Sequence, residues 1–254
     1  MTDICIIPIG SGSTGNCFYI GIGGHHLLID LGMGYRKVKT ALELHGRAIE
    51  DIEAVFLTHG HNDHTKSAEA LCNHMEAPVY GDASSFYPVR KARSEKIALM
   101  QGEDIEFPDG LGVRQFMVPH DYVKTCGYVF SYGNRKIAYL TDCGKADDSI
   151  LEQIYGSDVV IIESNHDVEM LKKGPYPYYL KQRILSVHGH LSNDDCAECL
   201  RKLHDKGTRS FILAHLSRHN NTPDLARKTV EDALKDKDHF LYVCPVEGND
   251  LLVF

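Results

Sequence analysis

The chain has 254 residues, 43% hydrophobic and 24% charged, which excludes a disordered or fibrous polymer and suits one large core or two small ones. Lys and Arg number 27 against 35 Asp and Glu, a net charge of −8, which argues against a surface that wraps nucleic acid throughout while allowing a local basic groove. Histidine is the unusual component: 15 of them, with no Trp, make a chain rich in metal ligands.

In chain order, residues 4–9 predict a strand, followed by Gly10-Ser11-Gly12-Ser13-Thr14-Gly15-Asn16. Residues 17–22 and 26–30 predict a hairpin turning at Gly23-Gly24. Residues 36–46 carry Val38, Leu42 and Leu44 near helical spacing and stop at Gly46. Residues 54–58 form a short apolar run, as expected of a strand buried on both faces. Residues 64–75 predict one helix and 77–81 the next strand. Residues 113–118, 127–132 and 136–141 predict consecutive antiparallel strands with a turn at Gly133-Asn134. Residues 158–162 and 209–214 are two more buried strands, with helices at 178–186 and 192–206 between them. Residues 223–235 predict a helix with Thr222 as N-cap, and 239–246 and 251–254 close the chain as strands. Strands that both pair and alternate with helices predict sheets covered by helices, in one domain over residues 1–254.

The chemistry concentrates in Thr58-His59-Gly60-His61-Asn62-Asp63-His64, where a buried strand meets a helix. His59 and His61 are two apart, so in extended chain both project to one side. Asp63 and His64 enter the helix, where successive side chains diverge by about 100°. Such a segment offers two imidazoles to one cation and a carboxylate with an imidazole to a second. A polar loop with merely exposed histidines is the bland alternative; three His and one Asp in six residues weigh against it.

His59-x-His61-x-Asp63-His64 resembles the signature of the metallo-β-lactamase superfamily. The resemblance extends to Asp30, matching an early Asp that supports the site, and to His120, matching the third ligand of the first metal. Asp142 matches the carboxylate that bridges both metals, and His215 the last ligand of the second. It implies a four-layer αββα sandwich, two sheets face to face with helices outside. It also implies two divalent ions (Zn, Mn or Fe) about 3.5–4 Å apart that share a hydroxide nucleophile, with Asp63 holding its proton.

His190, in Val187-His188-Gly189-His190-Leu191-Ser192-Asn193, resembles the histidine with which ribonuclease Z-like phosphodiesterases protonate the leaving oxygen, and Glu163 resembles the acid that steers it. His166 and His188 are undecided between contacts behind the ligands and plain surface or capping roles. The segments Gly10–Asn16, Glu163-Ser164-Asn165-His166-Asp167, Gly189-His190-Leu191-Ser192-Asn193 and His215-Leu216-Ser217-x-x-Asn220-Asn221-x-Pro223 resemble the YycJ/WalJ-like branch, bacterial 5′→3′ DNA exonucleases using divalent metal. That branch implies a nucleic acid substrate, DNA in the first place. Basic residues cluster at Arg90, Lys91, Arg93 and Lys96, and at Lys172, Lys173, Lys181 and Arg183; Lys181 and Arg183 are the better-placed substrate contacts, beside Tyr176, Tyr178 and Tyr179.

Two motifs carry less. Gly10-x-Gly12-x-x-Gly15 satisfies the dinucleotide fingerprint, yet a strand follows where a helix is required, so no nicotinamide cofactor is expected. Cys196-x-x-Cys199 falls inside a helix with no second pair, which reads as two packed thiols. Eight scattered cysteines, a non-basic Met1-Thr2-Asp3 start and no apolar run near the ~20 residues of a membrane span suggest a reduced, cytoplasmic protein with no membrane partner. Two other readings stay open: a small-molecule hydrolase of the same fold, for a cyclic phosphodiester or a thioester, and a metal-binding protein without turnover.

Overall fold

A computed structural model describes residues 4–89, 97–99 and 104–254; Met1-Thr2-Asp3 and the basic run Arg90, Lys91, Arg93 and Lys96 lie outside the described residues. Strands β1 (Ile4–Gly10), β2 (Cys17–Ile22) and β3 (His25–Ile29) pair antiparallel in sequence. Gly23 and Gly24 turn β2 into β3 with φ of 64° and 94°, left-handed angles that glycine adopts without steric cost. Beyond β3 the pairing turns parallel, through β4 (Ala54–Phe56), β5 (Val79–Gly81) and β6 (Ile97–Leu99). With β14 (Leu252–Val253) on the outer side of β1, the first sheet has the order β14-β1-β2-β3-β4-β5-β6.

One face of this sheet packs Ile7, Ile9, Tyr19, Leu28 and Val55 with Val38 and Leu42 of α1 (Tyr35–Glu43). The helix predicted over 64–75 is instead two short ones, α2 (Asn62–Thr65) and α3 (Ala68–Cys72). Ser67 leaves the helical region at φ −108°, ψ 6°, and its N–H bonds to the Leu31 carbonyl at 3.0 Å. A backbone bond to a distant segment has displaced the local i→i−4 ladder, which periodicity alone does not reveal.

The second sheet runs β13-β12-β11-β10-β9-β8-β7, with β7 (Ile105–Glu106), β8 (Leu111–Val118), β9 (Thr125–Tyr132), β10 (Arg135–Leu140), β11 (Val159–Glu163), β12 (Ser210–Ala214) and β13 (Phe240–Val243). Strands β10 to β13 are mutually parallel. Their crossovers are α4 (Asp148–Ile154), then α5 (Val168–Lys173), α6 (Tyr178–Ile184) and α7 (Asn193–Asp205), then α8 (Pro223–Ala233). All five residues of β11 are buried, the continuous apolar run expected of a parallel strand covered on both faces. Leu140, Ile162 and Leu213 pack with Leu200 and Leu203 of α7 and Val230 of α8. Ser192 caps α7 by accepting from Asp195 N at 3.1 Å, and Thr222 caps α8 by accepting from Leu225 N at 3.2 Å, bonds worth about 1 kcal/mol each.

Residues 1–115, 130–135 and 245–254 make up one compact unit, and 116–129 with 136–244 the other. Among the described residues no helix is long and apolar enough to cross a membrane.

Candidate metal centre

Parallel neighbours in register end together, and that brings the sequence-predicted residues to strand ends. In the first sheet Ile29 pairs with Phe56, so Asp30 and Thr58-His59 emerge side by side. In the second, Leu140, Ile162 and Leu213 are in register, which lines up Asp142, Glu163 and His215 at the carboxyl ends of β10, β11 and β12. Asp30 (φ 60°), Asp142 (φ 53°) and His215 (φ 57°) are three of the four non-glycine residues with positive φ among the described residues. Asp and His tolerate this region better than most side chains, and such local strain concentrates at functional sites.

In the first unit, Asp30 is fully buried and accepts from Thr58 N at 2.9 Å and from Thr58 Oγ1 at 3.0 Å. Its other oxygen is 2.7 Å from His64 Nδ1. Burial pushes the Asp30 carboxyl up, and the His64 and Thr58 contacts only partly offset this. With Nδ1 donating to Asp30, His64 carries its lone pair on Nε2. Asn16, at the end of the glycine loop, places Nδ2 3.0 Å from His64 Nε2 and 3.4 Å from Asp63 Oδ2. The same amide closes the loop, accepting from Gly12 N at 2.8 Å and donating to Gly12 O at 3.1 Å. Gly32 makes this approach possible, because a Cβ there would collide with Asp63 O and Asn16 N. His59 Nε2 and His61 Nδ1 converge to 2.9 Å, as two imidazoles sharing one cation do.

In the second unit Glu163 is the hub. Its Oε1 accepts from His190 Nδ1 at 2.7 Å and His215 Nδ1 at 2.6 Å, and its Oε2 accepts from Cys143 N and Leu191 N, both at 3.2 Å. Burial alone would raise this carboxyl; the two imidazoles outweigh it and hold Glu163 well below the usual carboxylate range. Burial likewise opposes the charge on His190, and the adjacent Glu163 carboxylate overcomes it and raises that imidazole. Asp142 Oδ1 lies 3.6 Å from His215 Nδ1, 3.8 Å from His190 Nδ1 and 3.7 Å from His120 Nε2. His120 Nδ1 donates to Gly189 O at 3.0 Å, and burial lowers its affinity for a proton.

These donors fit divalent cations. Asp142, Glu163, His190 and His215 each offer a ligand atom within 4.8 Å of the others. At His64, His120 and His215 the Nδ1–H is committed to a carboxylate or carbonyl, the arrangement that turns Nε2 of a metal-ligating histidine toward its ion.

A family model described as a beta-lactamase superfamily domain matches residues 25–216. The chain belongs to the metallo-β-lactamase superfamily. It is 35% identical over 234 residues to exodeoxyribonuclease YycJ of Bacillus anthracis, covering 90% of this chain and 88% of that protein. It is 33% identical over 237 residues to exodeoxyribonuclease WalJ of Streptococcus pneumoniae, covering 91% and 88%. Among solved structures, the metallo-β-lactamase fold protein YhfI of Bacillus subtilis superposes with a TM-score of 0.75 over 100% of both chains at 17% identity. The chain therefore has the metallo-β-lactamase fold, and divalent metal is the cofactor class that this fold and these donors imply.

The other residues singled out from the sequence make the following contacts. His166 is buried at 1% exposure, and neither ring nitrogen has a hydrogen-bond partner; burial pushes its pKa down to about 4. His188 is exposed, with its backbone N–H on Ser186 Oγ at 3.3 Å. Lys181 Nζ donates to Lys172 O at 2.7 Å, and Arg183 pairs with Asp121, whose Oδ1 is 3.1 Å from His120 Nε2. Cys196 and Cys199 both lie on the buried face of α7, where burial raises both thiols, Cys199 to about 12. The glycine loop leads into β2, a strand, as read from the sequence.

Sequence reasoning missed the supports. Thr58 and Asn16 brace His64, and Asp121 links His120 to α6. A buried amide clasp also went unread: Asn221 Nδ2 donates to Ser164 O at 2.9 Å, Asn165 O at 3.1 Å and Asn193 Oδ1 at 2.9 Å. Asn221 Oδ1 accepts from Asn193 Nδ2 and Thr222 N, both at 2.9 Å, and Asn165 Nδ2 donates to the His215 carbonyl at 2.9 Å. The available signal was an asparagine just beyond each of three site residues, Glu163, His190 and His215.

Proposed function

We propose that this protein is a metal-dependent nucleic acid hydrolase, an exodeoxyribonuclease that degrades DNA in the 5′→3′ direction. The observation that carries the reading is Glu163, a buried carboxylate bonded at once to His190 Nδ1 and His215 Nδ1. A metal binder without turnover has no use for a raised imidazole held beside the metal donors; a phosphodiesterase has one, to protonate the departing oxygen. The YycJ and WalJ relatives, both named exodeoxyribonucleases and matched over about nine-tenths of this chain, supply the substrate class.

The proposed ligands follow the family's order: His59, His61 and His120 for one ion, Asp63, His64 and His215 for the other, and Asp142 for both, with zinc, manganese or iron as the metal. When bound, such ions lower the pKa of a water and offset charge on the scissile phosphate. The chain's own residues do the rest. Asp30 and Thr58 orient His64, Asp63 accepts the nucleophile's proton, Glu163 keeps His190 charged, and His190 Nε2 gives a proton to the leaving oxygen. Lys181 and Arg183 of α6 support the substrate side. We read residues 1–254 as one domain, since the family match and the relatives run through both units. Eight free cysteines suit a reducing compartment, and the reading assigns the enzyme to the cytoplasm.

The test is incubation of protein loaded with Mn²⁺, Zn²⁺ or Fe²⁺ with single- and double-stranded DNA and RNA labelled at either end. The expected result is stepwise loss of nucleotides from 5′ DNA ends, abolished by chelation. Cleavage of a small phosphodiester with no DNA cleavage under any metal refutes it. His190→Ala is expected to depress turnover while leaving metal content near wild type, and Asp142→Ala to lower both.

A further inference from the structure

Helix α6 is anomalous for its length and position. Seven residues are too few for a helix to persist on its own in water, and helices this short are normally held by an apolar face. None of its residues is buried. Tyr178 and Tyr179 are 77% and 74% exposed, and Leu185 and Val187 just beyond the helix are exposed as well. Tyr176, by contrast, packs edge-on against His219 with ring centroids 5.8 Å apart. What fixes α6 is polar: Lys181 Nζ on Lys172 O, Arg183 on Asp121, and His190 N bonding the Ile184 carbonyl at 3.1 Å. Gly189 allows that last contact, since a Cβ there would strike the Arg183 and Ile184 carbonyls. The C-terminal end of the helix is thus tied to the backbone of His190, while two aromatic rings at its N-terminal end stay in solvent.

We propose that Tyr178 and Tyr179 form a stacking platform for the unpaired bases of a DNA end, which they hold beside His190; the inference rests on the nuclease reading above. Charge supports this occupant. Residues 170–191 contain Lys172, Lys173, Lys181 and Arg183 and no Asp or Glu, in a chain whose net charge is −8. Glu169 pairs with Lys172 and Lys173, and Asp121 with Arg183, which leaves a local excess of two positive charges. An aromatic surface with a modest positive excess suits a single strand, whose bases are free to stack whatever their identity. A duplex end presents one closed base pair and a dense phosphate array instead, which calls for more basic contacts than this patch has. Just past the helix, Leu185 and Val187 line a cavity of about 290 Å³ with Gly144 and Leu191, the sequence neighbours of Cys143 and His190, and with the charged side chains of Lys145, Asp195, Glu198 and Lys202.

The test compares wild type, Tyr178→Ala/Tyr179→Ala and Tyr178→Phe/Tyr179→Phe, all metal-loaded, on a single-stranded oligodeoxynucleotide and on a blunt duplex. The Ala pair is expected to raise KM for the single strand about tenfold or more, ~1.4 kcal/mol per tenfold, with kcat within twofold of wild type. The Phe pair, which keeps the rings, is expected to restore KM. An unchanged KM in the Ala pair overturns the proposal, as does a Phe pair as weak as the Ala pair or a larger rise on blunt duplex. A change in sedimentation of the Ala pair without a change in KM assigns the patch to a second copy of this chain and also overturns it. Wild-type protein that cleaves no DNA sinks the nuclease reading and this one with it; wild-type cleavage with an unaffected Ala pair sinks this one alone.

Discussion

Asn221→Ala tests whether the amide clasp holds together the three segments that follow Glu163, His190 and His215. The side chain makes five hydrogen bonds, two through Oδ1 and three through Nδ2. Some of its partners have other bonds: Asn165 O also accepts from Ser217 N, and Asn193 Oδ1 also accepts from Ser164 Oγ. Thr222 is exposed, so water replaces the bond to its N–H. Two groups on fully buried residues are left stranded, Ser164 O and Asn193 Nδ2. Each stranded buried group costs about 1–3 kcal/mol, so the loss is about 4 kcal/mol. For a chain of this size 1 kcal/mol moves Tm by about 2–4 °C, which predicts a fall of about 12 °C. Thermal melts followed by circular dichroism, with urea titrations to check that the m-value is unchanged, measure it. A fall of less than about 3 °C, with or without divalent metal, refutes the reasoning. Asn221→Asp should do no better than Ala, because its second oxygen would face three acceptors where an amide donated to them.

Two further outcomes follow from buried titratable groups. His166 is neutral in the folded protein down to about pH 4, while the unfolded chain takes up its proton near 6.5. The unfolded state therefore binds more protons between these values, and stability falls by up to about 3 kcal/mol as pH drops from 6.5 to 4. His166→Asn should flatten that part of the stability–pH curve, and curves that run parallel to wild type would rule this out. Glu163→Gln removes the charge that most raises His190, leaving burial, which lowers it, opposed only by the weaker pull of Asp142. The expected results are a drop in kcat of about 10²-fold or more at neutral pH and a shift of the basic limb of the kcat–pH profile to lower pH. An unmoved limb would show that His190 does not act as the proton donor.

Much of the site was legible in sequence because metal ligation demands particular residue types at particular spacings. His59, His61, Asp63 and His64 are read as one unit from six residues, and Asp30, His120, Asp142 and His215 through the resemblance to the superfamily. Strand patterning carried the fold, since a parallel strand buried on both faces, such as β11, leaves a continuous apolar run. Capping did the same for α8, where Thr222 acts within three residues of itself.

Tertiary structure decided everything that depends on partners distant in sequence. The helix expected over 64–75 breaks because Ser67 bonds to Leu31, and no local pattern records that bond. Asn16 and Asn221 look like ordinary turn residues, yet one braces His64 from 48 positions away and the other ties Ser164 to Asn193. Lys181 and Arg183 read as substrate cations, and the fold engages them in anchoring α6 while leaving Tyr178 and Tyr179 in solvent. Histidine composition pointed to metal chemistry, because ligand chemistry is a property of residues. Which histidine donates Nδ1 to which oxygen is a property of the folded chain, because a hydrogen bond constrains two atoms in space and leaves their separation in sequence unspecified.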